Sequence, residues 1–197
     1  MRKYWIYLSI RVYTGAQDPG TDIANDLPQD TAQLGATEKL VVYMMLPLLG
    51  KGYSLYVDNF YTSVRLFRYL HNNSTNATGT TRSNRVPDRV KNARLNKGES
   101  KPYKCQPLML VKFVDKKDVY LMTTEHPPGT QRVRVRGRLD VYLNKPNRVI
   151  AYNKNMGAVD KMDQLIQPYS APRRAMKWYR KLAIHLIQVA LLNAYIL

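Results

Sequence analysis

The spacing of apolar residues changes several times along the chain, and each change predicts an element. Residues 4–13, YWIYLSIRVY, are dense in Tyr, Ile and Val and stop at Thr14-Gly15, which predicts a strand and a turn. From Thr37, Leu40, Val41, Met44, Met45 and Leu48 recur at helical spacing, and Pro47 with Gly50 and Gly52 closes the run. A short strand, SLYV, then ends abruptly on Asp58. Phe60, Val64 and Phe67 predict a second helix reaching about Leu70, followed by the polar connection NNSTNATGTTRSN with one short strand, TGTTR.

The texture shifts after residue 84. PLMLVKFV, DKKD and VYLMTT read as a β-hairpin with a charged tip. RVRVRGR sets Arg132, Arg134 and Arg136 on one side of an extended strand, either as a charge-guarded edge or as a phosphate-contacting face. Residues 85–145 thus suit a basic insertion between an N-terminal part, 1–84, and a helical C-terminal part, 146–197. In that last part Arg173, Arg174, Lys177, Arg180 and Lys181 make one side of a helix basic. Trp178, Leu182, Leu186 and Val189 form a stripe expected to face a core.

Charge changes this picture most. The 31 Lys and Arg against 14 Asp and Glu leave a net charge of +17, which points to a polyanionic partner. The single cysteine, Cys105, excludes an intramolecular disulfide or multi-cysteine zinc site within these residues, and reads as a small core hydrophobe. His71, His126 and His185 lack ligand spacing. Residues 16–34 hold Asp18, Asp22, Asp26 and Asp30, without the glycine and terminal glutamate of a calcium loop. The opening MRKYWIYLSIR reads as a strand rather than a leader. The run from Leu182, sixteen residues carrying His185, Gln188 and Asn193, reads as a buried core helix rather than a membrane span. These features predict the cytosol or nucleus and no membrane partner.

Against such a background the carboxylates stand out. Asp58 is the only acid between Glu38 and Asp88, and Asp160 and Asp163 are the only two from Val141 to Leu197. In MGAVDKMDQLI the last two lie three apart at the start of a helix, where capping or the helix dipole is sufficient reason for an acid. Metal-assisted phosphodiester chemistry is the other reason, since magnesium needs few protein ligands and prefers carboxylate oxygens.

GKGYSLYVDNFYTSVRLFRYL, TGTTRSNR, the early VYTG and the whole stretch from YNKNMGAVDKMD to the end resemble the piggyBac transposase family and its domesticated relatives. The resemblance implies an α/β fold, an RNase H-like (DDE transposase) core with a β-rich insertion before the C-terminal helices. It implies three catalytic aspartates, with magnesium in a two-metal site. Asp58 matches the second of them and Asp160 the third, as the metal-holding pair; Asp163 matches a supporting acid of the same motif. Gly157 keeps the glycine of that motif, and Ala158 stands where a second glycine is common.

In the family the first Asp closes a strand upstream of the one that starts here at Tyr4. Asp18, Asp22, Asp26 and Asp30 all follow the YTG turn and cannot replace it. The sequence therefore predicts a core without its first strand, and without the family's N-terminal region or cysteine-rich tail. The resemblance implies cut-and-paste DNA transposition at TTAA in the nucleus, impaired here. It implies double-stranded DNA at transposon ends as partner and leaves homodimerisation open. Arg132, Arg134, Arg136, Arg173, Arg174, Lys177, Arg180 and Lys181 would contact DNA phosphates. A non-catalytic, domesticated DNA-binding protein is the alternative reading, and a generic basic scaffold is a third.

Overall fold

The computed structural model describes residues 7–12, 23, 26–125, 129–134, 142–169 and 177–197, and the chain divides into two units, 19–156 and 1–18 with 157–197. Several expected features lie outside the described residues: positions 4–6 and 13–15 of the first strand and turn, Asp18, Asp22, His126, Arg136, Arg173 and Arg174.

In the larger unit, α1 (Ala36–Met45) begins where the Gly35 N–H donates to the Glu38 carboxylate at 2.7 Å, a side chain three residues into the helix satisfying an otherwise orphaned donor. Its buried face is Glu38, Val41, Val42 and Met45. The expected stripe is displaced by one position, for Val42 is fully buried while Leu40 and Met44 are half-buried. Gly50 and Gly52, both at φ +73°, turn the chain into β1 (Ser54–Val57) through backbone conformations costly for any other residue. Helix α2 (Val64–Asn72) is capped by Ser63, whose Oγ accepts the Leu66 N–H at 3.1 Å. It buries Leu66, Phe67 and Leu70. Phe60 and Val64, expected on the same buried stripe, are exposed, because Phe60 belongs to the turn ahead of the cap.

β2 (Asn76–Thr81) returns parallel to β1, completing a strand–helix–strand unit. The hairpin read from the sequence is β4 (Leu108–Val114) with β5 (Asp118–Thr123). Together with β3 (Ser100–Cys105) it joins the same sheet, in the order β1-β2-β5-β4-β3. A separate ribbon pairs β6 (Thr130–Arg134) with β7 (Tyr142–Pro146). Helices α1 and α2 pack a core of Val42, Val57, Leu66, Phe67, Leu70 and Ala77 with Leu108 and Met122. A second cluster joins Val111, Phe113 and Leu121 to Val149 and Tyr152 of α4 (Asn147–Met156). Cys105, expected in a core, is exposed on the outer strand β3.

A short helix, α3 (Asp88–Lys91), is tied to the sheet through a buried lysine. Lys112, 4% exposed, donates to the Lys91 and Ala93 carbonyls at 2.8 and 2.9 Å and pairs with Asp118 at 2.8 Å. Three acceptors satisfy the three ammonium protons, which is what makes a buried lysine tolerable.

In the smaller unit, residues 7–12 form neither helix nor strand, so the strand expected over 4–13 does not appear in its described part. Helix α5 (Ala158–Ile166) buries Met162 and Ile166. Helix α6 (Trp178–Ile196) departs from the expected core stripe: Val189 is buried and Leu182 half-buried, but Leu186 and Trp178 are exposed, Trp178 at 65%. No described helix is long and apolar enough to cross a membrane.

The hydrogen bond to Asp118, outweighing the opposing effect of burial, holds the Lys112 ammonium above the usual lysine range. The stability it confers is fully present below the lysine's unfolded pKa and is lost as pH climbs through its raised folded value. Lys112→Met should cost about 2 kcal/mol or more, read as a lower urea midpoint at neutral pH. A variant as stable as the parent would remove this role.

Candidate active site

Asp58 follows the last residue of β1 and opens a turn built on its own backbone. Its carbonyl accepts the N–H groups of Tyr61 and Thr62 at 3.1 and 3.2 Å and the Thr62 hydroxyl at 3.0 Å. The chain therefore folds back sharply, leaving the Asp58 side chain exposed and Thr62 fully buried. One carboxylate oxygen, Oδ1, accepts the Asn59 N–H at 2.6 Å, which orients the group.

Glycine in the strand TGTTR makes the turn possible. Val57 pairs in register with Gly79, and a Cβ there would lie 2.3 Å from Thr62 Oγ1 and 2.9 Å from the Val57 carbonyl. The two arginines that follow the strand hold the turn from outside. Arg85 Nη1 donates to the Thr62 carbonyl at 3.0 Å and, at longer range, to those of Asn59 and Phe60. Arg82 Nε donates to Asn59 Oδ1 at 3.1 Å. From the next residue, the Ser63 hydroxyl donates to the buried Glu38, so α1, α2 and the turn share one hydrogen-bonded corner. Beneath the strand end, the Tyr152 hydroxyl donates to the Val57 carbonyl at 3.3 Å and meets the Thr80 hydroxyl at 3.3 Å. Burial pushes the Tyr152 phenol up; the Thr80 hydroxyl opposes this, and the charge of Asp58 adds to the rise.

Asp160 and Asp163 both lie on α5, in the other unit. Gly157 occupies the cap position without a side-chain bond, so neither aspartate is the cap. Asp160 stands in the first turn, where the helix dipole favours a carboxylate, and is exposed with no partner among the described residues. Asp163 is also exposed, and it accepts the Tyr7 hydroxyl at 2.5 Å. Tyr7 is itself clipped in place: the Asn193 side chain accepts its N–H at 3.0 Å and donates to its carbonyl at 2.8 Å. Burial first, then the Asp163 hydrogen bond and charge, push the Tyr7 phenol up to about 12.

Carboxylate oxygens are the donors that magnesium takes, and Asp58 and Asp160 each offer at least one oxygen with no partner among the described residues. Among the described residues, no group of three or more His, Cys, Asp or Glu is arranged to hold a metal ion.

Of the expected phosphate contacts, Arg132 and Arg134 are exposed two apart on β6, the guanidinium of Arg132 lying 4.7 Å from the Tyr142 ring centroid. Lys177, Arg180 and Lys181 are exposed at the start of α6, where cations oppose the helix dipole. Their placement is unfavourable for the helix alone and suits an anionic partner. Sequence reasoning assigned no role to Tyr7, Arg82, Arg85, Tyr152 or Asn193. The advance signal was that Arg82 and Arg85 fall within the quoted TGTTRSNR block, and Tyr152 and Asn193 within the stretch that begins at YNKNMGAVDKMD.

Comparison with known proteins places this arrangement in context. The family model described as Transposase IS4 matches residues 6–195. Over 98% of its length the chain is 26% identical to human PiggyBac transposable element-derived protein 2, of which it spans 35%. Over 73% it is 28% identical to human PiggyBac transposable element-derived protein 3, of which it spans 26%. Among solved structures it resembles a piggyBac transposase in a synaptic complex with hairpin DNA, with a TM-score of 0.71 and 27% identity. That likeness covers 85% of this chain and 35% of the other.

Two outcomes follow from the geometry. Gly79→Ala should destabilise the larger unit by about 1–3 kcal/mol, since backbone and a buried threonine block the added methyl; a melting temperature equal to the parent's would contradict it. Tyr7 should titrate near pH 12 in ring-resolved NMR and move down toward the ordinary tyrosine range in Asp163→Asn. Because its folded pKa is raised, the contact supports the fold fully below the unfolded tyrosine pKa and fails only as pH rises through about 12. An unmoved titration in Asp163→Asn would refute the assignment.

Proposed function

The chain belongs to the family described as Transposase IS4, as a piggyBac-type member, and on that footing we propose that it is a catalytic-core portion of a transposase acting on double-stranded DNA. The observation that carries this reading is Asp58: an exposed carboxylate at the C-terminal end of a parallel strand, on a turn held by two arginines, inside the matched segment. In open α/β sheets such strand ends are where sites gather.

The sheet is read as an RNase H-like core. The parallel β1–β2 unit with α2 between supports this, as does β1, whose one neighbour among the described residues is β2. Residues 85–145 are retained as an insertion between 1–84 and 146–197, one that adds β3, β4 and β5 alongside β2.

Asp58 and Asp160 are the residues that would hold the metal, magnesium in this reading, with Asp163 as a supporting acid oriented by Tyr7. When bound, the metal neutralises charge on a phosphodiester and makes an attacking oxygen more acidic. The protein's own groups do the rest. Asn59 fixes the Asp58 carboxylate, Arg82 and Arg85 keep its turn in place, and Tyr152 braces the strand end. Arg132, Arg134, Lys177, Arg180 and Lys181, with Arg136, Arg173 and Arg174, neutralise backbone phosphates and read few bases. Transposon ends with TTAA targets, a homodimer and a nuclear site of action complete the proposal.

Calorimetric titration with Mg²⁺ should register binding that Asp58→Asn and Asp160→Asn each weaken on the order of tenfold or more. Unchanged affinity in both overturns the metal assignment. This polypeptide should bind duplex DNA carrying piggyBac-type ends, and any nicking it performs should fall by orders of magnitude in Asp58→Asn and Asp160→Asn alike. Nicking unaffected by both substitutions would sink the assignment of these carboxylates. Duplex binding with no metal response, unaffected by Asp58→Ala, would favour a non-catalytic DNA-binding protein.

A further inference from the structure

A cluster of cations not yet given a role lies along the outer strand β3. There Arg89 of α3 meets Lys101 and Lys104 of β3 around a groove of about 560 Å³, whose wall includes Asn92 and Ala93. No acid lines this groove, and none of the three cations makes an ion pair among the described residues. The adjacent acid, Asp88, is occupied by Lys91 at 3.1 Å.

The groove is also held in shape. The Arg89 guanidinium and the Lys101 ammonium each lie 5.8 Å from the centroid of the Tyr103 ring. The Tyr103 hydroxyl is buried, so its tip is turned inward and the ring acts as a platform for cations rather than for a stacked base. The opposite wall, the turn after α3, is fixed by the Lys112 bonds to the Lys91 and Ala93 carbonyls.

Edge protection explains part of this. β3 is the last strand of the sheet, and Pro102 with two exposed lysines discourages pairing with another chain. It does not explain Arg89, which comes from a different element to share the ring with Lys101. Two like charges directed to one ring, with no acid between them, suit an anion that enters from outside.

We propose that this groove is a second phosphate-binding surface for the backbone of duplex DNA, additional to Arg132 and Arg134 and to the cations of α6. The proposal rests on the reading of DNA as partner and deepens it. Its contacts are electrostatic, so they add affinity with little dependence on base sequence.

The test is duplex binding by this polypeptide across a salt series, compared with the triple variant Arg89→Ala, Lys101→Ala, Lys104→Ala. All three side chains are exposed, and circular dichroism and a melting curve establish that the variant is folded. Each phosphate contact contributes about 0.9 to the slope of log affinity against log salt, so the variant should lose roughly 2 to 3 units of slope. Its affinity should drop on unrelated duplexes alike, and Arg89→Lys, Lys101→Arg, Lys104→Arg should retain parental binding. If the parent binds no duplex, the reading of DNA as partner fails. If the parent binds with steep salt dependence and the alanine variant matches it, this groove is not the contact and the broader reading stands. A loss confined to single-stranded RNA also overturns the proposal.

Discussion

Gly79 has no side chain, and the end of β1 lies where that side chain would be. The turn after β1 can fold back because nothing separates Val57 and Thr62 from the neighbouring strand. β2 pairs with β1 on one side and with β5 on the other, so the same strand that admits the turn also joins the two parts of the sheet. Buried threonines complete that junction, with the Thr78 and Thr123 hydroxyls 2.7 Å apart. The exposed position of Asp58 is thus a packing consequence before it is a chemical one.

Much of this was legible from residue patterns. Helices near 37–45 and 64–70, the strand before Asp58, the hairpin with its charged tip and the acid-bearing helix near 160 all follow from period and breakers. What period could not supply was the partner of each face. Leu40 and Val42 are equally apolar, and only the packing chose Val42 for complete burial. Along α6 the apolar stripe was visible, yet Trp178 and Leu186 remain exposed, because spacing tells which face favours burial and not what covers it.

The candidate site was legible where chemistry is scarce and illegible where it is common. Three acids in a strongly basic chain draw notice; arginines in the same chain do not. Arg82 and Arg85 look like any solvated cations until the Asn59 side chain is seen bonded to the first and the carbonyls of Asn59, Phe60 and Thr62 converging on the second. Tyr7 and Asp163 are 156 positions apart, and no local pattern links them.

The Asn193 amide has a consequence for the order in which the polypeptide acquires its shape. Its two bonds to the Tyr7 backbone bridge 186 positions. While the ribosome is still upstream of Asn193, the early segment has been made and its partner has not. The sheet-bearing unit, complete in sequence by Met156, has no such wait. During synthesis it is therefore positioned to assemble first, while the Tyr7 backbone gains its side-chain partner only once Asn193 has emerged.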